Sequence, residues 1–204
     1  MKIVLASNNA GKLAELQTLF APLGMTLVRQ SELNIPEAAE PFKTFVENAL
    51  AKARHAAQLS GMPALADDAG LCVDAFGGQP GVDTAYYATR FGYPKGDDTN
   101  VTALLEQMQG IDNRRAAMVS TLVAVRSADD PEPLIAVGRV VVQITPERRG
   151  TNGFGFDPVM LLPEFGKTFA ELPPEVKNAH SHRGRAAQAM LALMRERWLD
   201  SAAP

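Results

Sequence analysis

Ile3-Val4-Leu5-Ala6-Ser7-Asn8-Asn9-Ala10-Gly11-Lys12 is the stretch on which the fold turns. Ile3 to Ala6 form a short apolar run bounded by polar residues, the pattern of a buried strand. Ser7 to Gly11 make a polar turn. Beyond it Leu13, Leu16, Leu19, Phe20 and Leu23 recur at helical spacing until Gly24 ends the pattern. Strand, polar loop and helix in that order open an α/β protein. The rest of the chain agrees. Met25 to Arg29 reads as a second strand, and Pro36 to Lys43 as an acidic, proline-punctuated loop. Thr44 with Glu47 three residues on is a capping box for a helix reaching about Leu59, stopped by Ser60-Gly61. Ala64 to Ala66 is a short strand ending at Asp67-Asp68, and Gly77 to Gly81 a rigid turn. A helix spans Thr99 to Met108, capped by Asp97, Asp98 or Thr99. Two β-branched segments, Met118 to Val125 and Leu134 to Ile144, flank Asp129-Asp130-Pro131 as an antiparallel pair. Gly150 to Pro158 is a glycine-rich loop, and Gly184 to Leu199 an amphipathic terminal helix. Helices alternating with strands, plus one hairpin, give an α/β fold with a mixed sheet.

Composition narrows the function. The chain has 204 residues and 46% hydrophobic content, enough for one substantial core, so a single domain over 1–204 is expected. Lys plus Arg number 20 and Asp plus Glu 23, a net charge of −3, which gives no global pull toward nucleic acid or an anionic membrane. Phosphate, if handled, is handled at one local site. Cys72 is the single cysteine, which excludes an intrachain disulfide and a thiolate metal cluster. No stretch approaches the ~18–20 apolar residues of a membrane span, and the opening apolar run is cut by Ser7-Asn8-Asn9 before a signal core forms. A cytoplasmic location is expected.

Four segments carry chemistry. Ser7, Asn8, Asn9, Ala10, Gly11 and Lys12 lie between strand and helix, where unpaired amides and the helix dipole favour an anion. Ala6 and Leu13 stand where a Walker loop has Gly and Ser or Thr, so that motif is absent. An Asn N-cap with a solvated lysine is the alternative. Asp67-Asp68 offers carboxylates for Mg²⁺ or for taking a proton from water. On extended backbone the two point to opposite sides, so one of them is expected to face a site; an Asx-type turn is the alternative. Glu37, Glu40 and Glu47 are the further candidate ligands, Glu47 already serving the capping box. Gly153-Phe154-Gly155-Phe156-Asp157-Pro158 lets amides approach a flat ligand beside a ring, or is a bulge whose phenylalanines belong to the core. Lys177-Asn178-Ala179-His180-Ser181-His182-Arg183-Gly184 concentrates cations before the last helix; as a zinc pair, His180 and His182 lack further ligands.

In this order the segments, with Gly77-Gly78-Gln79-Pro80-Gly81, Lys52-Ala53 and Gly166-Lys167-Thr168, resemble the inosine triphosphate pyrophosphatase family over nearly the whole chain. The resemblance implies an elongated mixed α/β fold with two lobes around a nucleotide-binding cleft, usually a homodimer. It implies hydrolysis of deaminated purine nucleoside triphosphates (dITP, ITP, XTP) to monophosphate and pyrophosphate with Mg²⁺. Ser7, Asn9 and Lys12 then contact phosphate. Asp68 is the catalytic carboxylate and a metal ligand, with Glu40 the other expected ligand. Phe154, Gly155, Phe156, Asp157, Lys177, His182 and Arg183 belong to the base pocket. The chain departs from the family's usual residues at Pro41-Phe42, Ala69, Tyr86, Phe156 and His180; Ala69 removes a hydroxyl contact next to the acid pair. Three rival functions are disfavoured: a pyrimidine triphosphate pyrophosphatase by the blocks at residues 153–158 and 181–183, a nucleotide sensor without hydrolysis by Asp68, and a zinc hydrolase by its missing third and fourth ligands.

Overall fold

The computed structural model describes residues 1–199. Its strands are β1 (Lys2–Leu5), β2 (Thr26–Arg29), β3 (Ala64–Val73), β4 (Arg115–Val125), β5 (Leu134–Ile144), β6 (Met160–Leu162) and β7 (Lys167–Thr168). Its helices are α1 (Ala10–Phe20), α2 (Phe45–Ser60), α3 (Asp97–Gln107), α4 (Pro174–His180) and α5 (His182–Met194), α5 continuing into a π turn at Arg195–Leu199. The strands form one sheet in the order β2-β1-β3-β4-β5-β6-β7. It is mixed: β1 runs parallel to β2 and β3, while β6 is antiparallel to β5 and β7. The expected α/β class holds.

The chain segregates into two compact units. The first comprises Met1–Asp68, Ser120–Gly138 and the described residues from His182; the second comprises Ala69–Val119 and Arg139–Ser181. Strands of the first unit are apolar on both faces. Ile3, Leu5, Leu65, Leu122 and Ala124 pack with α1 and α5 side chains such as Leu16, Phe20, Ala186 and Met190. The alternate residues Val4, Ala64, Ala66, Val123 and Val125 pack against Ala49, Ala53 and Ala56 of α2. Period two therefore assigns every residue of β3 within this unit to the α1/α5 face or to the α2 face. The second unit has its own core, in which Leu71, Leu104, Met108, Val142, Met160 and Phe169 are fully buried.

The structure corrects three local expectations and adds one element. β3 does not stop at Asp67 but runs through both acids to Val73. Adjacent carboxylates need not break a strand when each is neutralised by side chains from the helices beneath it. The cationic segment is not one run before a helix: Lys177 lies on α4, which ends at Ser181 in extended conformation, while His182 and Arg183 open α5. α3 begins at Asp97 with Gly96 as a cap that offers no side chain, so Asp97 and Asp98 occupy its first turn instead. Gly81–Phe91 forms an eleven-residue 3-10 segment. The Asn100 side chain holds it by accepting from the Ala88 amide and donating to the Ala85 carbonyl.

Candidate active site

Alternation along β3 makes the two acids different. Asp67 shares the face of Leu65 and looks toward α1 and α5. Its Oδ2 takes the Lys12 ammonium at 3.1 Å and Arg183 Nε and Nη2 at 3.0 Å each; Ser120 Oγ donates to Oδ1 at 2.7 Å. Arg183 Nη1 reaches Glu15 Oε2 at 2.5 Å. Burial pushes the Asp67 carboxyl up, but Arg183, Lys12 and the Ser120 bond override it and hold the group far below the usual carboxylate range. Burial lowers the Lys12 ammonium despite the opposing pull of Asp67. Arg183, at 3% exposure, is kept firmly charged: burial works against its cation, and Asp67 and Glu15 outweigh that cost. Its position depends on a missing side chain. A Cβ on Gly138 would lie 1.9 Å from the His182 carbonyl oxygen and 2.5 Å from the Ala186 nitrogen, so only glycine lets β5 meet the first turn of α5.

Asp68 shares the face of Ala66 and looks toward α2. Lys52 Nζ lies 2.9 Å from its Oδ1, 2.7 Å from Glu40 Oε2 and 3.2 Å from the Asp67 carbonyl oxygen. Lys12 Nζ donates to that same carbonyl at 3.2 Å, so one backbone oxygen gathers both ammonium groups. The other Asp68 oxygen, Oδ2, is buried with no hydrogen-bond partner among the described residues. An orphaned carboxylate oxygen beside a second carboxylate is an open ligand position for a cation or a water. Burial raises the Asp68 carboxyl, against the attraction of Lys52. Lys52 is lowered by burial and raised by Asp68 and Glu40, with a net upward shift.

The neighbouring loop sorts the glutamates. Glu37 accepts from Asn8 Nδ2 at 3.0 Å; Thr44 caps α2 by accepting from the Glu47 amide, and the Glu47 carboxylate accepts the Thr44 hydroxyl rather than the Thr44 amide, so the expected box is half made. Glu40 alone of the three joins Asp68 through Lys52. The loop is pinned at the His55 ring against the Pro36 carbonyl and by Asn48, which accepts from the Phe42 amide and donates to its carbonyl. No group of three or more His, Cys, Asp or Glu side chains suited to a metal occurs among the described residues. The candidate cation position thus has two carboxylates, leaving further ligands to come from solvent or substrate. Ahead of α1, Ser7 Oγ accepts from the Asn9 amide and Asn9 caps the helix by accepting from the Lys12 amide. The Asn cap and the lysine at the acid pair occur together, Asn9 ahead of α1 and Lys12 in its first turn.

The second unit holds its own polar cluster. Asp157 Oδ2 accepts from Lys177 Nζ at 2.5 Å and from the Phe154 amide at 2.8 Å, both charged groups being buried. A Cβ on Gly153 would fall 2.0 Å from that same oxygen, and Gly153 has φ +77°, so glycine is required twice over. Lys177 Nζ sits 4.8 Å from the centre of the Phe154 ring, and the Gly155 amide donates to Asp97 Oδ2 at 3.0 Å. Phe156 is a core residue of this unit, and Ala69 is half-buried in β3. His182, buried in the first turn of α5, belongs to the first unit. Sequence reasoning named Asp67 as one of the acid pair and Lys52 within a motif, gave neither a role, and did not name Ser120 or Glu15. The signal available for Lys52 was its place one turn after Asn48 and beside the Ala49–Ala53 stripe, where a charge needs a partner.

Comparison with known proteins places the chain among close relatives. The family model described as the Ham1 family matches residues 3–193. The dITP/XTP pyrophosphatase of Paracidovorax citrulli is 79% identical over 198 residues, spanning 97% of this chain and all of that protein. That of Verminephrobacter eiseniae is 79% identical over 199 residues, spanning 98% of this chain and all of that protein. Among solved structures, a Ham1 protein from Coxiella burnetii superposes with a TM-score of 0.87 at 41% identity, covering 96% of this chain and 99% of its own. The Ham1 protein of Staphylococcus aureus gives 0.84 at 34% identity with the same coverage.

Proposed function

The chain belongs to the Ham1 family, and from that premise we propose that it is a nucleoside-triphosphate pyrophosphatase that hydrolyses dITP, ITP and XTP to the monophosphate and pyrophosphate. The observation that carries this is the Asp68–Lys52–Glu40 cluster with its orphaned Oδ2, joined through the Asp67 carbonyl to Lys12 at the start of α1. Water attacks the α-phosphorus; the bond to the bridging oxygen breaks, and pyrophosphate leaves as one unit. Asp68 orients the water and takes its proton at Oδ2, its other oxygen being fixed by Lys52. Lys12 and the amides at the N-terminus of α1 hold the departing phosphates. Asp68 and Glu40 are the residues that would hold Mg²⁺, which when bound neutralises phosphate charge.

Arg183, engaged through Nε, Nη1 and Nη2 with Asp67 and Glu15, serves in this scheme to fix Asp67 and the first turn of α5. Base choice rests on donors facing the keto oxygen at C6, which adenine replaces with an amino group. His182 and Lys177 are the candidate donors, Asp157 holding Lys177 and, through the Phe154 amide, the loop. If a ring stacks on the base, it is that of Phe154. An unmet buried donor costs ~1–3 kcal/mol, so two mismatches give a discrimination of about a hundredfold or more. The purified protein with Mg²⁺ is expected to release pyrophosphate from ITP and XTP at least that much faster than from ATP; equal rates on ITP, XTP, ATP and GTP refute the specificity. Faster turnover of dTTP or UTP establishes a pyrimidine enzyme, and ITP binding without pyrophosphate release establishes a sensor.

A further inference from the structure

Lys52 sits where a metal ion's charge is expected. Its ammonium lies between the two carboxylates assigned to the cation, 2.7 Å from Glu40 and 2.9 Å from Asp68, with its side chain only 12% exposed. α2 fixes this placement. The helix is anchored at one end by the Thr44–Glu47 cap, and Ala49, Ala53 and Ala56 bury its inner face against the sheet. A buried ammonium cannot be left without its counter-charges, and buried carboxylates cannot be left without a cation. The protein has therefore built one positive charge into the place where a second would be bound.

We propose that Lys52 is the resident counter-ion of the Asp68–Glu40 pair and that it keeps a divalent cation from binding well until nucleotide phosphates arrive with it. Three consequences follow from the geometry. A cation entering alone meets a pair already neutralised by one unit and repelled further by Lys12, which shares the Asp67 carbonyl with Lys52. Among the described residues only two carboxylates are supplied, so most of the ligands an Mg²⁺ ion needs must come from water or phosphate. A triphosphate brings negative charge that offsets both ammonium groups, which weakens their repulsion of the cation while Lys52 keeps its bond to Asp68. Lys52 is thus a positioning residue for the cation and sets the order in which cation and nucleotide bind.

The inference rests on Asp68 and Glu40 as the cation ligands, and the test separates the two. Mn²⁺ is titrated into nucleotide-free protein by calorimetry, comparing wild type with Lys52→Met, Lys52→Gln and Lys52→Arg, each checked for a cooperative thermal transition. Lys52→Met and Lys52→Gln remove the charge and are expected to bind Mn²⁺ about tenfold more tightly than wild type or more, one factor of ten being ~1.4 kcal/mol. Lys52→Arg keeps the charge and stays within about threefold of wild type, less than half that energy. Adding Asp68→Asn to Lys52→Met abolishes the gain. A purely structural role for Lys52 moves affinity the other way, since a loosened site binds less. Unchanged or weaker binding in both neutral variants overturns the counter-ion role; if Asp68→Asn still weakens Mn²⁺ binding in the wild-type background, the ligand assignment stands. A gain that survives Asp68→Asn overturns the ligand assignment and the inference together.

Discussion

Asp67 and Asp68 are chemically identical neighbours, and β3 gives them opposite tasks by turning one to α1 and α5 and the other to α2. Asp67 is satisfied at both oxygens by Lys12, Arg183 and Ser120. Removing its charge leaves a lysine and a buried arginine facing each other without their shared anion. Asp67→Asn is expected to cost about 3–5 kcal/mol in chemical denaturation, the penalty for breaking a buried ion pair from one side. Asp68 has one oxygen on Lys52 and one unused, and Asp68→Asn leaves Lys52 its bond to Glu40. Here the unfolding midpoint stays near that of the wild type, while pyrophosphate release falls about 10²–10⁴-fold, the scale of a lost general base. If the two variants exchange these outcomes, the face assignment of β3 is wrong. The sequence offered both acids and the rule that they diverge, but not which one had spare valence. That depends on side chains from separate elements: Lys52 on α2 for Asp68, and Lys12, Ser120 and Arg183, each more than 50 positions away, for Asp67.

Elements whose logic is local were legible, and those held by distant partners were not. The opening strand, loop and helix, the Thr44 cap of α2 and the two long β-branched strands stand where period and cap chemistry put them. The second half of β3 was missed because paired acids read as a stop until the cations beneath them are known. The 3-10 stretch at Gly81–Phe91 rests on the Asn100 amide, and the break between α4 and α5 falls at Ser181 in what reads as one basic run. Gly138 shows the same limit, since a lone glycine in a β-branched strand does not reveal what approaches it. Gly138→Ala inserts a methyl where the His182 carbonyl stands at 1.9 Å, so the first turn of α5 must move and carry Arg183 off Asp67. The expected loss is about 1–3 kcal/mol, the usual range for forced overpacking, read as a lowered urea midpoint with unchanged slope. A midpoint equal to wild type shows that α5 does not bear on β5 there.

At the scale of the whole molecule, the net charge of −3 says little about stability, because only groups whose ionisation changes on folding make unfolding depend on pH. Asp130, in the turn between β4 and β5, is such a group away from the candidate site. Its carboxylate accepts from the Arg126 amide at 2.8 Å, Arg126 Nε at 3.0 Å and Nη2 at 2.9 Å, and from the Glu132 amide at 3.0 Å. The Arg126 side chain, with those amides, holds the carboxyl well below its ordinary range. A carboxyl depressed in the folded state stabilises the protein at pH values above its unfolded pKa of ~3.9. That stability drains away as pH falls below this value toward the depressed one, because the unfolded chain then binds the proton first. Asp130→Asn is therefore expected to be less stable than wild type by about 1.5–3 kcal/mol at pH 7, the scale of hydrogen bonds to a charged group. The gap should narrow as the pH is lowered through 4 and 3, where the wild type's advantage is being titrated. Urea midpoints of both proteins at a series of pH values measure it directly. A gap that stays constant down the series shows that Asp130 acts through packing rather than charge, and a gap that widens reverses the sign of the linkage.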